Sequence, residues 1–374
     1  MSQLPEPDQT LKPPTPIRVL LLSRYGRLGA SSRVRSYQYL PYLRDHGISV
    51  TTAPLFRNSY VEQLYTDRHK SWLAVIAAYV KRLQTLLTVP RFDLVWIEYE
   101  LLPWLPAWPE GLLKAVGIPF VVDYDDAVFH RYEYHRSALV RTTLGKKIDT
   151  VMRRADVVMV GSEYLAERAR HAGAQQIECL PTAVDVTRYR SEHCTSSEIY
   201  TVGWIGTPIT VHYLSLVQTA LARICTNGDA RLAIVGALAT TLHGIPTVVH
   251  PWSEATEVTH IQQFDVGIMP LPDEPWERGK CGYKLIQYMA CGRPVVASPV
   301  GASKQIVEHR VNGFLAETTE EWISALRTLQ DPALRAQMGA AGRAKVESTY
   351  NVQLNAPRLA KVLQSVAKRR TRVL

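Results

Sequence analysis

No two of the five cysteines, Cys179, Cys194, Cys225, Cys281 and Cys291, stand at a spacing that would hold a metal or frame a disulfide scaffold. Their odd number and scatter point to a reducing, cytoplasmic setting. The longest apolar run, WLAVIAAYV from Trp72 to Val80, falls far short of the roughly 20 residues that span a bilayer. Residues 1–16, MSQLPEPDQTLKPPTP, are polar and proline-rich with no apolar stretch, so a disordered tail is expected there and neither a signal peptide nor an anchor. There is no short-period repeat. His130 has no partner at metal-ligand spacing, and no metal is expected.

What is present is the composition of a soluble globular protein, 46% hydrophobic and 21% charged. A chain of 374 residues is too long for one ordinary core, which favours two domains. The formal charge of +9 suggests an anionic partner: a nucleotide-linked substrate, an acidic membrane surface or nucleic acid. Nucleic acid is the least favoured, because the notable basic residues sit at loops and not in one stripe with interleaved aromatics.

Short apolar runs alternate with amphipathic stretches. Runs at 17–23, 48–54, 92–98, 118–124, 155–161 and 176–181 read as buried strands separated by helices, the pattern of a parallel sheet covered on both faces. The chain turns polar over Asp185–Ser197, where a linker is expected, and the alternation then restarts at 199–206, 230–236, 247–252, 264–271 and 293–299. The expectation is α/β with two doubly wound, Rossmann-like domains, 17–190 and 198–350. The remaining segment, 351–374, reads as a helix that crosses back to the first domain.

Ligands of open parallel sheets bind beyond the carboxyl ends of strands, so the loops there carry the argument. The stretch RGKCGYKLIQYMACG places Arg278, Lys280 and Lys284 around a helix expected to begin near Cys281. Gly279 and Gly282 would let an anion approach backbone N–H groups, and Gln287 shares a helix face with Lys284. In VGWIGTP, Gly206 and Thr207 precede a helix expected near Thr210, and their amides could cradle a pyrophosphate; neither a P-loop nor a dinucleotide fingerprint is present there. In the first unit, Gly26 and Gly29 lead into a helix expected to be capped by Ser31 or Ser32, with Arg33 and Arg35 in its first turn. Cations there oppose the helix dipole unless an anion is near. VVDYDDAVFH gathers Asp123, Asp125 and Asp126 at a strand end, more carboxylates than capping needs. Each constellation also has a plain reading as solvated charge, tight turn or cap, and the residues alone leave both readings open. The amphipathic stretch SWLAVIAAYVKRLQTLL, 71–87, reads either as a helix covering the sheet or as a surface that docks on anionic lipid.

The segment KLIQYMACGRPVVASPVGASKQIVEHRVNGFLA resembles the donor-site signature of glycosyltransferase family 4, and VGWIGTP, ADVVMVGSEYLAERA, LPTAVD and GASSRVRSYQYLPYLR are similar to its other blocks. The resemblance spans roughly residues 17 to 365. Two positions depart from the signature: Gln287 stands where its second glutamate is usual and Gly279 where the first is, with Glu277 two residues away as a substitute. The resemblance implies the GT-B fold, two such domains facing a cleft, and a retaining, hexosyltransferase-type enzyme that takes a sugar from a nucleoside diphosphate donor. Its acceptor would be a glycan, a lipid-linked intermediate or a small molecule, as in polysaccharide and cell-envelope synthesis. No cofactor beyond the donor is implied. Lys280, Lys284 and Arg278 would then hold the diphosphate, with Asp125 and Asp126 contacting sugar or acceptor. Gly206, Thr207, Gly282 and Gln287 would bind the donor, joined by Val300, Gly301, Ala302 and Ser303 at the next strand-to-helix turn. Gly29, Ser31, Ser32 and Arg33 would face the acceptor. The expected place is the cytoplasm, with peripheral contact at the inner face of the cytoplasmic membrane as an alternative to a free protein. The missing glutamates also admit a sugar-nucleotide-binding protein of this fold with weak or no catalysis.

Overall fold

The computed structural model describes residues 16–66, 72–191, 199–226, 228–237, 242 and 244–370. The tail expected at 1–16 therefore lies, except for its last residue, outside the described residues, as do Cys194 and the second half of the expected linker.

Two six-stranded parallel sheets organise the chain. The first contains β1 (Ile17–Leu22), β2 (Ile48–Thr52), β3 (Leu94–Glu98), β4 (Phe120–Tyr124), β5 (Val157–Val160) and β6 (Ile177–Cys179), in the order β2-β1-β3-β4-β5-β6. The second contains β7 (Tyr200–Ile205), β8 (Ala230–Val235), β9 (Thr247–His250), β10 (Val266–Met269), β11 (Val295–Ala297) and β12 (Gly313–Leu315), in the order β12-β11-β10-β7-β8-β9. Both are doubly wound α/β sheets, as the alternating runs imply. The direction of winding reverses between β1 and β3 and between β7 and β10, and a crevice opens at such switch points.

Every residue of β3, β4, β5 and β7 is buried, which is why these strands read as continuous apolar runs and not as alternating ones. On one face of the first sheet, Leu20, Val95, Ile97 and Val122 pack against Leu113, Ile148, Val151 and Leu165 of the covering helices. On the other, Val19, Leu21, Trp96 and Val121 meet Leu359, Leu363 and Val366 of the C-terminal helix Val352–Arg370, so this last helix returns to the first sheet. In the second sheet, Ile205, Val235 and Met269 pack under Leu285, Ile286 and Met289 of the helix Tyr283–Ala290.

Two local expectations are corrected. The helix expected near Thr210 is a 3-10 segment over Val211–Val217, and α-helix begins only at Gln218. β12 had no counterpart among the apolar runs; it is a three-residue edge strand containing a glycine, too short to show a period. Among the described residues no helix is long and apolar enough to cross a membrane.

Candidate active site

A cavity of about 500 Å³ lies between the two sheets, at the carboxyl ends of their strands. The loop after β4 contributes Asp125 and Asp126, the turn after β7 contributes Gly206 and Thr207, and the helix after β10 contributes Lys284 and Gln287. Lys280, Gly282, Ser31 and Arg33 also line it. Thus the cations, carboxylates and turn glycines singled out in three separate motifs share one hollow.

The two lysines are its electrostatic centre. Gly282, at φ 68°, caps the helix Tyr283–Ala290 and turns the chain so that Lys280 precedes it and Lys284 lies in its first turn. Lys280 Nζ stands 4.0 Å from Asp126 Oδ1. Lys284 forms no ion pair among the described residues; its Nζ lies 5.5 Å from the centre of the Trp204 ring. Burial lowers the Lys284 ammonium to about 8, and the like charge of Lys280 adds to this. Burial also raises Asp126 to about 6, against the pull of Lys280 and then Lys284. Lys284, without an ion pair, and Lys280, only loosely paired with Asp126, suit an incoming anion.

The structure removes three expectations. Arg278 is exposed and turned away, its guanidinium paired with Asp273 at 2.7 Å, so it does not face the cavity. Val300, Gly301, Ala302 and Ser303 do not line it either. Their turn packs beneath the preceding loop, where a Cβ on Gly301 would meet Arg278 O at 2.4 Å. Gly206 and Thr207 do line the cavity, but the Gly206 N–H donates to Val235 O at 3.0 Å and the Thr207 N–H to Thr210 Oγ1 at 3.2 Å. Neither amide is open to a pyrophosphate. Gly206 acts instead through its missing side chain: a Cβ there would lie 2.3 Å from the Trp204 ring and 3.0 Å from Lys284 Cε.

On the acceptor side, the helix begins at Ala30 with Gly29 as its N-cap and no side-chain cap, so neither Ser31 nor Ser32 caps it. Ser31 faces the cavity; Ser32 is fully buried and donates to Glu98 Oε2 at 2.6 Å. The anion that accommodates Arg35 is internal, a buried pair with Asp123 at 2.6 Å. Arg33 lies 4.5 Å over the Trp252 ring of the second unit, and Arg27 pairs with Glu254 at 2.7 Å, so this loop also closes one edge of the cleft. His130 is held by Glu133 and Tyr164 in a structural role.

Gln287 is buried at the back of the cavity, donating its amide to Tyr189 Oη at 2.8 Å. Behind it lies Glu257, a cavity-lining residue absent from the sequence reading. Its Oε1 accepts from Arg188 at 2.7 Å and from the Tyr189 hydroxyl at 2.8 Å, and its Oε2 from the Trp252 indole at 2.8 Å. In sequence, Glu257 shows only as an acidic residue in the first turn of a helix, which the helix dipole alone accounts for.

Two family models match the chain: the Glycosyl transferase 4-like domain over residues 17–183 and Glycosyl transferases group 1 over residues 197–331. The chain belongs to glycosyltransferase family 4 of the group 1 glycosyltransferases. This glycosyltransferase is 28% identical over 237 residues to the GDP-mannose-dependent monoacylated alpha-(1-6)-phosphatidylinositol monomannoside mannosyltransferase of Corynebacterium glutamicum, a match covering 56% of this chain and 62% of that one. It is 26% identical over 178 residues to the N-acetyl-alpha-D-glucosaminyl L-malate synthase of Bacillus anthracis, covering 44% and 45%. Each match spans less than two thirds of the relative's length. Among solved structures, sucrose-phosphate synthase from Thermosynechococcus elongatus superposes with a TM-score of 0.72 at 16% identity, over 93% of this chain and 98% of that one. Anabaena HepE in complex with UDP gives 0.66 at 18%, over 93% and 100%. The fold is GT-B.

Within this glycosyltransferase the unusual glycine of the signature has a steric reason. A Cβ on Gly279 would lie 2.4 Å from Ala127 Cβ and 2.8 Å from Ala127 N, on the loop after β4. Next to it, Cys281 Sγ donates to Asp125 O at 3.1 Å. The two loops dock where a glutamate would otherwise project, and the close approach is what brings Lys280 to Asp126. Glu277 does not take that place: it is buried outside the cavity and accepts from the Tyr213 hydroxyl.

Proposed function

We propose that this glycosyltransferase moves a sugar from a nucleoside diphosphate donor to a hydroxyl of an acceptor held by the first sheet, with retention of anomeric configuration. The observation that carries the proposal is the convergence of Lys280 and Lys284 on one 500 Å³ cavity whose opposite wall bears Asp125 and Asp126. The bond from the anomeric carbon to the diphosphate oxygen breaks, a bond to the acceptor oxygen forms, and the acceptor proton passes to the departing diphosphate. The costly part is charge building on that diphosphate, and preorganised cations in a water-poor cleft lower its energy most. Lys284 is suited to this because it is charged yet poorly solvated, so an arriving phosphate oxygen replaces little water. Gln287 and Glu257 sit beyond the lysines, where a ribose hydroxyl could pair with a carbonyl or carboxylate oxygen. We propose further that the lysines supply the countercharge and that no metal is required; turnover should then survive chelation with EDTA.

One relative is named for GDP-mannose, and a solved neighbour holds UDP. A panel of uridine, guanosine and adenosine diphosphate sugars, read by melting temperature and then by transfer, tests the proposal. A rise with one base and release of its diphosphate supports it, and NMR of the anomeric proton reads out retention. Binding without turnover against any acceptor would instead make the chain a sugar-nucleotide-binding protein.

We also propose that the protein works against an anionic membrane surface. The helix Trp72–Leu86 leaves Trp72 68% and Leu73 61% exposed, with Ile76 and Val80 following on the same face and Lys81 beside them. Tyr79 of this helix donates to Pro103 O, which sets the exposed Trp104, Leu105 and Trp108 close by. Apolar residues beside a basic one are the chemistry of an interfacial helix. Sedimentation with phosphatidylglycerol vesicles should capture the protein and lose the Trp72→Ser, Leu73→Ser double variant; equal recovery of both would remove this contact.

A further inference from the structure

A second hollow of about 190 Å³ adjoins the main cavity, and Ala30, Ser31 and Asp126 line both. It is smaller than the roughly 300–1,000 Å³ of sites that enclose a whole drug-sized ligand, so it suits one compact group. Its remaining wall includes Arg24 from the loop after β1, Glu98 and Tyr99 from the end of β3, and Arg131 from the short helix His130–Glu133.

Three buried polar atoms in this wall have no hydrogen-bond partner: Arg24 Nη1, Arg131 Nη1 and Glu98 Oε1. Such atoms are rare in a folded protein, and leaving them unmet is costly. Arg24 Nη1 stands 3.8 Å from Glu100 Oε1, an ion pair beyond hydrogen-bond reach. Glu100 is already committed, to Lys147 at 2.5 Å and to the Tyr132 hydroxyl at 2.8 and 2.9 Å. Arg131 forms no ion pair among the described residues; its guanidinium lies 5.8 Å from the centre of the Trp276 ring. Burial, and then the charge of Arg24, weaken its hold on its proton: the two guanidinium charges stand near each other and share Glu100, itself engaged by Lys147, with no full counterion of their own. Glu98 does not supply that counterion in full. Its other oxygen takes the Ser32 hydroxyl at 2.6 Å and the Arg24 N–H at 2.9 Å, and burial pushes it up to about 7.

We infer that the acceptor carries a compact anionic group, a phosphate or a carboxylate, that docks between Arg24 and Arg131 in this second hollow. The inference rests on the reading that the first sheet holds the acceptor. With the anion seated there, the shared wall at Ser31 and Asp126 sets the rest of the acceptor at the mouth of the main cavity, where its hydroxyl meets the donor sugar. Arg24 and Arg131 thereby select for charge on the acceptor without touching the diphosphate. A neutral acceptor of equal size without acceptor oxygens there would leave Arg24 Nη1 and Arg131 Nη1 without a hydrogen bond, which is the stronger form of discrimination.

The test titrates malonate and inorganic phosphate, against sodium chloride at matched ionic strength, into the full chain already saturated with its nucleoside diphosphate, and reads the melting temperature. The same titration is run on Lys284→Ala, whose donor-side cation is gone, so that a failure of nucleotide binding does not mask the second site. Wild type and Lys284→Ala should both be stabilised by malonate or phosphate. Arg24→Gln and Arg131→Gln should each respond with about tenfold weaker apparent affinity, the scale of one charge-assisted hydrogen bond, and keep nucleoside diphosphate affinity within about twofold. The better of the two anions names the acceptor's group. If nucleoside diphosphate binds and neither anion stabilises wild type beyond chloride, the subsite is refuted and the donor reading stands. If the anions stabilise Lys284→Ala and both arginine variants alike, the subsite is refuted as well. Loss of nucleotide binding with the anion response intact would refute the donor reading alone.

Discussion

Lys280 and Asp126 meet across the cleft, Nζ to Oδ1 at 4.0 Å, one from the loop after β10 and the other from the loop after β4. The contact is too long for a tight pair and leaves both charges partly unmet. A diphosphate entering between the lysines would take over Lys280 and free Asp126 towards the acceptor. The approach depends on Gly279, because any larger residue would strike Ala127.

The two shifted groups have opposite signatures in stability against pH. Lys284 holds its proton less tightly folded than unfolded, so its charge destabilises the fold at neutral pH, and stability rises as pH climbs from about 8 towards the ordinary lysine range. Asp126 holds its proton more tightly folded; its contribution is full below the ordinary carboxylate range and is lost as pH rises through about 6. Lys284→Met should therefore melt about 2–4 °C above wild type at pH 7, the response expected for roughly 1 kcal/mol. The gap should close by about pH 10, near the ordinary lysine value. Thermal melts of both proteins across this range check it.

Gly206→Ala tests whether the turn after β7 works through space and not through its amide. The added methyl would strike the Trp204 ring and press on Lys284 Cε. Stability should fall by about 1–3 kcal/mol as the ring moves. Nucleoside diphosphate affinity should fall about tenfold, roughly 1.4 kcal/mol, because Lys284 loses its seat. Denaturant titration and calorimetry separate the two effects.

The Arg35–Asp123 pair is structural in this account. Arg35→Met leaves a buried carboxylate alone and should cost about 3–5 kcal/mol in urea unfolding, whereas Arg35→Met with Asp123→Leu should recover much of the loss. A double variant no more stable than the single one would contradict a closed, internal pair.

The sheets were legible because strands buried on both faces need unbroken apolar runs, as in VVMV at β5, whereas the loop cations and glycines were legible as candidates only, since solvated charge, tight turns and caps use the same residues. What escaped depends on contacts distant in sequence. Glu257 reads as an ordinary residue at a helix start; only the fold sets Arg188, Tyr189 and Trp252 around it. The place of Gly279 was visible as a departure from the family signature, but its reason lies in Ala127 of the other sheet. Arg278 looked like its neighbours Lys280 and Lys284 until Asp273, five residues earlier, claimed it. The unpartnered nitrogens of Arg24 and Arg131 have no sequence signal, since surplus charge in a hollow is a property of what fails to surround it.

The most direct measurement is calorimetric titration of the preferred nucleoside diphosphate into wild type and Lys284→Ala at pH 7. Loss of a half-buried cation from a diphosphate should weaken binding about 30-fold or more, about 2 kcal/mol, while the variant stays folded by circular dichroism. Equal affinity in the two proteins would contradict a cleft built around that lysine.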